Sequence, residues 1–286
     1  MRSPIRVALL AGLLATAVPL GARAGEADRL ALTYEVTVSG FHVIDFELRV
    51  ALDDRSYDIT TDFRTRGFLN WLLSWQSVSR SAGKVVDGAI RPQNYEQLGT
   101  FRGRERVVRI DYRDGRVADI ELVPPPVDDG DREIIPADAM AGALDPAAML
   151  YSVIQQVSTG ASCTRVVPIF DGRRRFDLEF VDRGTDVLET SDPRGFAGEA
   201  RVCEFTYRMV AGFVRNETSG ADRQREPRTG RVWLARVLPG QPLAPVRIEV
   251  DNTNWGATIA ELRALPTVAP CTTVAAAAPA PAPATC

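Results

Sequence analysis

The sequence predicts a mainly β protein: one large antiparallel sheet, curled into an open or spiral barrel-like form, with one short helix packed in or across it. Three observations support that fold class. Apolar residues recur with period two along most of the chain. The dipeptides Asp87-Gly88, Asp114-Gly115 and Asp171-Gly172 each separate strand-like runs, and both residue types tolerate the positive φ of tight hairpin turns. A capped helical stripe occurs clearly only once, after Asp145.

Residues 1–24 read as a secretory signal. Arg2 and Arg6 precede an apolar run from Val7 to Leu20, and Ala22-Arg23-Ala24 supplies a small-residue cleavage site after Ala24. That run is shorter than the ~20 residues a membrane-spanning helix needs. Cleavage would remove Arg2, Arg6 and Arg23 and move the formal charge from −3 to −6. From Leu30 the strands begin. Leu30, Leu32, Tyr34, Val36 and Val38 alternate with Ala31, Thr33, Glu35 and Thr37. Ile44, Phe46, Leu48, Val50 and Leu52 then oppose Asp45, Glu47 and Arg49, and Tyr57, Ile59 and Phe63 oppose Asp58, Asp62 and Arg64. In the next segment Phe68, Trp71, Leu72 and Trp75 fall at helical spacing with Leu69 and Leu73 on the other side. A helical turn that is apolar all round is either buried, here at a barrel mouth, or faces something greasy as a lid or membrane contact.

Later strands are expected at 106–112, 117–123, 163–170, 176–182, 201–209, 232–237, 246–251 and 257–265. Between the two sets, Pro124-Pro125-Pro126 and the acidic Asp128 to Asp131 form a stiff, then solvated, connection. The helix follows: Asp145 is a natural N-cap, Pro146 fits the first position, Leu150, Val153, Ile154 and Val157 make one stripe, and Gly160 can end it. Residues 25–265 therefore read as a single β-rich domain whose halves join near 124–160. Residues 215–229 read as a polar loop and 266–286 as a disordered Ala/Pro-rich tail.

About a dozen strands with one apolar face each cannot be covered by a helix of three turns, so the sheet must curl onto itself. A barrel of ~8 strands is just filled by its own side chains, and a larger one has room left over. Apolar inward sets that include Phe46, Leu48, Phe176, Leu178 and Phe180 then predict a hydrophobic lumen, with Phe68, Trp71 and Trp75 as its lid. The competing expectation is that the helix and the segment 68–75 plug the lumen completely.

Export would make disulfides durable. Cys163 pairs best with Cys203, both in strand-like segments, which leaves Cys271 and Cys286 to bond in the tail, to stay free or to pair between molecules. The absence of a basic excess argues against nucleic acid as a partner. His42 is the only histidine, which excludes paired-histidine zinc sites, and no nucleophile elbow or phosphate loop is present. No catalytic residue, metal or cofactor is expected, although polar side chains clustered in the lumen would favour an enzyme. The run Phe170 to Phe176, with Arg173, Arg174 and Arg175, reads either as a solvated hairpin tip or as a phosphate or carboxylate site.

Trp71-Leu72-Leu73-Ser74-Trp75-Gln76-Ser77, Gly83-Lys84-Val85-Val86-Asp87-Gly88 and Val167-Pro168-Ile169-Phe170-Asp171-Gly172 with the residues through Leu178 resemble the proteobacterial exported family called domain of unknown function 3108. The resemblance spans roughly 30–265 and implies an uncharacterised β-rich periplasmic protein with no active-site residues to carry over. The functional expectation is non-catalytic binding of a hydrophobic or acyl ligand, either lipid or a hydrophobic peptide, in the concave sheet. The alternative is a structural or protein-interaction component of the cell envelope. No membrane span is expected in the mature protein.

Overall fold

The computed structural model describes residues 28–264 except 54, 130–131, 191, 216–223 and 252–255. The cleavage point after Ala24, the tail cysteines Cys271 and Cys286, and Asp131 lie outside the described residues.

The first meander comprises β1 (Asp28–Val38), β2 (Phe41–Leu52), β3 (Ser56–Thr65), β4 (Trp75–Val86), β5 (Ala89–Phe101), β6 (Arg104–Arg113) and β7 (Arg116–Val123), with α1 (Gly67–Leu73) between β3 and β4. After α2 (Pro146–Ser158) the second meander comprises β8 (Arg165–Phe170), β9 (Arg175–Leu188), β10 (Gly198–Ala211), β11 (Arg228–Ala235), β12 (Ala244–Val250) and β13 (Thr258–Ala264). All thirteen strands belong to one antiparallel sheet. It runs from β7 back to β1, crosses to β13 and continues back to β8. The halves join where Tyr34 lies opposite Leu262 and Val36 opposite Ala260. Among the described residues no helix is long and apolar enough to cross a membrane.

Turn chemistry explains much of the connectivity. Asp87-Gly88 and Asp114-Gly115 both adopt the positive φ of two-residue hairpins, and so do Ser39-Gly40 and Arg102-Gly103, which composition alone did not flag. Asp171-Gly172 does not make such a turn. There the Asp171 N–H donates to the Arg174 carbonyl at 3.2 Å while its carboxylate accepts from the Arg173 and Arg174 N–H groups, giving a four-residue loop. The strand-like runs on either side of Asp87-Gly88 are β4 and β5, which reach back to Trp75 and on to Phe101, beyond what alternation marks. The inward positions of β4 are Ser77, Ser79, Ser81 and Gly83, so the apolar alternation that marks a strand is missing. Trp75 opens β4 rather than closing a helix.

The antiparallel order places Ser39-Gly40, α1, Arg102-Gly103 and the loop 171–174 at one end of the curled sheet. Asp87-Gly88 and Asp114-Gly115 lie at the other. α2 fills the second end. Asp145 caps it as the sequence predicts, accepting from Ala147 N (3.1 Å) and Ala148 N (2.9 Å), and Pro146 occupies the first helical turn. Ala147, Ala148 and Tyr151 pack against Leu30, Leu48 and Tyr57, while Val153, Ile154 and Val157 pack against Val167, Leu178 and Leu234. Each fully buried aliphatic side chain of this kind contributes roughly 1.5–3 kcal/mol. Cys163 and Cys203 are bonded across β9.

The two sheet edges meet without a ladder. Leu144 covers the free edge of β8, donating to the Pro168 carbonyl (2.9 Å) and accepting from Phe170 N–H (2.8 Å). β7 approaches from the other side, and one guanidinium spans the gap. Arg173 donates to the carbonyls of Val123 (2.7 Å) and Pro124 (3.0 Å) and to Asp129 Oδ2 (3.0 Å). Asp129 also accepts from Arg106 (2.5 Å) and Arg132 (3.4 Å). The connection after β7, expected to be solvated beyond its prolines, is thus buried at Asp129, which balances three arginines at the seam.

Candidate functional site: the open end of the lumen

α2 occupies one end of the lumen, and the other end holds two cavities. The larger, about 480 Å³, is lined on its apolar side by Phe176, Leu178, Phe205, Tyr207, Met209 and Val250. β9 and β10 bring these together because Phe176 pairs with Met209, Leu178 with Tyr207 and Phe180 with Phe205, all on the inward face. The Phe176 and Tyr207 rings lie 4.7 Å apart. Arg132, Arg174 and Arg228, with Val214 and Gln224, complete the wall. A neighbouring cavity of about 330 Å³ includes Trp75, Phe101 and Val108, and shares Arg132 and Arg174 with the first.

The eight residues expected to form lumen or lid separate into three groups. Phe176 and Leu178 line the large cavity and Trp75 the smaller one, where Trp75 packs edge-on against Phe63 and Phe101. Phe46, Leu48 and Phe180 are packed into the core, Phe46 against Tyr34 at 5.5 Å. Phe68 and Trp71 close nothing: no α1 residue is buried, and Trp71 is 88% exposed. Phe41 packs edge-on against Phe68 at 6.3 Å and extends this outward face. The lumen is therefore partly plug and partly cavity, combining the two outcomes the sequence posed as alternatives.

The interior is less apolar than the sequence suggested. Thr61 and Ser79 are hydrogen-bonded at 2.6 Å, Gln97 donates to Ser77 at 2.9 Å, and Ser81 donates to Asp145 at 2.9 Å while lying 3.3 Å from the Tyr57 hydroxyl. Burial pushes the Asp145 carboxyl up to about 6, against the pull of hydrogen bonds from Ala148 N–H, Ser81 and Ala147 N–H. A Ser–Asp contact resembles the start of a catalytic pair. Yet Asp145 is fully buried and one of its oxygens is occupied by the helix cap, so the cluster welds α2 to β3 and β4. His42 is half-exposed and pairs with Asp45 at 2.8 Å. Among the described residues no group of His, Cys, Asp and Glu could hold a metal ion.

The three successive arginines of the 171–176 run do three different things. Arg173 spans the seam. Arg175 turns inward to the Ala139 carbonyl (2.9 Å), the Phe176 carbonyl and Asp177 (both 2.7 Å). Arg174 is the one of the three that lines both cavities, sharing Asp171 Oδ2 at 2.8 Å. A solvated hairpin tip describes none of them fully. Tyr207, Met209, Arg132 and Arg228 were missed as cavity residues. Tyr207 and Met209 carried a signal in their even spacing from Phe205, but Arg132 reaches the site only through the fold.

An antiparallel sheet curled round a plugging helix and open at its other end defines a barrel-like β protein. The chain belongs to the family described as protein of unknown function (DUF3108), which matches residues 33–263. Its architecture is similar to the crystal structure of a beta-barrel-like protein of domain of unknown function DUF1849 from Brucella abortus. That likeness has 11% identity, covers 82% of this chain and 96% of that one, and has a TM-score of 0.44. No curated protein matches the chain.

Proposed function

We propose that this is an exported periplasmic protein that binds a hydrophobic or acyl ligand without catalysing a reaction, and that the ligand sits in the large cavity at the open end. The observation that carries the reading is the cavity of about 480 Å³, walled by Phe176, Leu178, Phe205 and Met209. Small-molecule sites usually enclose ~300–1,000 Å³ with mostly apolar walls and a few polar groups. The signal-like residues 1–24 and the Cys163–Cys203 bond are consistent with an oxidising, exported setting. Native mass spectrometry and lipid extraction of protein purified from periplasm should recover a bound hydrophobic molecule, with the chain starting at Gly25. Met209→Trp should fill the cavity and abolish uptake of a neutral hydrophobic dye while leaving thermal melting unchanged. Lipid-free protein that also takes up no dye would refute the reading.

A second reading, a protein-interaction component of the envelope, draws support from the outward face of Phe41, Phe68, Trp71 and Leu72. A photo-crosslinker placed at Trp71 in cells should then capture one defined envelope protein, and Phe68→Ser should abolish the product. Absence of any specific product would count against it.

A further inference from the structure

Resting on the sheltering reading above, we propose that the ligand is a single-chain amphiphile with an anionic head, carboxylate or phosphate, bound at the cavity rim by Arg228 and Arg174 with the Tyr207 hydroxyl, its chain running inward along Phe176 and Phe205. Charge balance points this way. The walls of the two open-end cavities carry five guanidiniums (Arg106, Arg132, Arg173, Arg174 and Arg228) and only two carboxylates (Asp129 and Asp171). This local excess sits in a chain whose formal net charge is −3.

Three of the five already pair with Asp129, although the buried Arg106 Nε keeps no partner. Arg173 is held by Asp129 and the carbonyls of Val123, Pro124 and, at 3.5 Å, Val107, Arg132 by Asp129 and the Gly212 carbonyl (2.8 Å), and Arg106 by Asp129. Arg174 gives its Nε and one terminal nitrogen to Asp171, which leaves Nη1 free for a ligand. Arg228 opens β11 opposite Tyr207 and has no carboxylate within salt-bridge distance among the described residues. Tyr207, Arg174, Arg228 and Arg132 line the same cavity; burial raises the Tyr207 phenol, helped by Asp171, while the charges of Arg174, Arg228 and Arg132 pull against that rise. A guanidinium fork beside an apolar wall is incompletely compensated until an oxyanion accepts its remaining donors. The rim position of Arg228 keeps such a head at the water boundary, while the rings below receive the chain.

The test is displacement of the neutral dye N-phenylnaphthylamine by dodecanoate, dodecyl phosphate and dodecanol, using the mature chain and its Arg228→Gln and Arg174→Gln variants. The carboxylate or the phosphate, or both, should displace at least about tenfold more tightly than the alcohol, the scale of one charge-assisted hydrogen bond. Whichever of the two binds more tightly identifies the head. Arg228→Gln should bring that amphiphile to the level of dodecanol and leave dodecanol unchanged, and Arg174→Gln should act in the same direction. If acid, phosphate and alcohol displace alike, or if both variants leave the difference intact, the head-group inference fails while the sheltering reading survives. If the dye never binds, both fail. Both arginines are surface-exposed on at least one side, so unchanged melting of the variants is expected and separates lost binding from lost folding.

Discussion

Arg173→Ala tests how the two edges of the sheet are held together. The guanidinium is 12% exposed and Asp129 9%. The substitution removes donors to the Val123 and Pro124 carbonyls as well as one partner of Asp129. Each carbonyl left without its charged donor costs roughly 1–2 kcal/mol. Orphaning a buried carboxylate would cost about 3–5 kcal/mol, but Asp129 retains Arg106 and Arg132, so its share is a fraction of that. The expected total is about 3 kcal/mol, read as a lowered urea midpoint at unchanged slope. Hydrogen exchange should accelerate in β7 and β8 while β1 and β2 stay protected. Arg173→Lys should restore little, because an ammonium lacks the planar fork that reaches two carbonyls and a carboxylate at once. Arg174→Ala, half-exposed and paired only with Asp171, serves as the control and should stay within ~0.5 kcal/mol of the parent. An Arg173→Ala midpoint equal to that control would refute the idea that this residue closes the seam.

Cys163→Ala should destabilise the folded chain by about 4 kcal/mol, the chain-entropy value for a loop of 40 residues, with the same loss when the parent is reduced; equal melting of oxidised and reduced protein would contradict this. Asp145 has its pKa raised to about 6 in the folded protein, against ~3.9 unfolded. As pH falls from ~7 to ~4, the folded state therefore takes up a proton that the unfolded state does not. Stability should rise through that window by on the order of 3 kcal/mol from this group, and Asp145→Asn should flatten the rise in urea titrations at several pH values. Asp182 runs oppositely: burial raises it, but Arg201 and the N–H groups of Gly184 and Cys163 outweigh that and hold it at about 2, so its contribution is lost only below ~4. Trp71→Ser should leave the urea midpoint within ~0.5 kcal/mol of the parent, since the ring touches little of the fold; a larger loss would mean that α1 is structural.

The sequence made the sheet legible where one face was apolar and the other charged. Leu30 to Val38 and Ile44 to Leu52 carry that alternation almost without exception, and both are strands paired with each other. β4 was illegible for a physical reason. Its inward serines face Thr61, Gln97 and Asp145, partners from β3, β5 and the α2 cap, so the polarity is compensated by residues far apart in the chain. The helix was legible down to its cap because capping is local. The site was only half readable. Phe176 and Leu178 follow from strand period, whereas assigning the seam to Arg173 and the cavity to Arg174 depends on where two edges come together in space. Trp71 shows the reverse case: helical spacing identified α1 but could not say which way its ring points.

The seam also bears on how the molecule avoids its own kind. An exposed strand edge is a template for pairing with a second chain, and long β proteins usually blunt their edges. Here the acceptors at the end of β7, Val123 and Pro124, are already taken by a side chain. Pro124, Pro125 and Pro126 supply no amide donors beyond them. A foreign strand arriving at that end of β7 finds neither half of the bonding pattern it would need, and Leu144 denies it the end of β8 from Pro168 to Phe170. Loosening the seam should accordingly make the sheet aggregation-prone before it unfolds it.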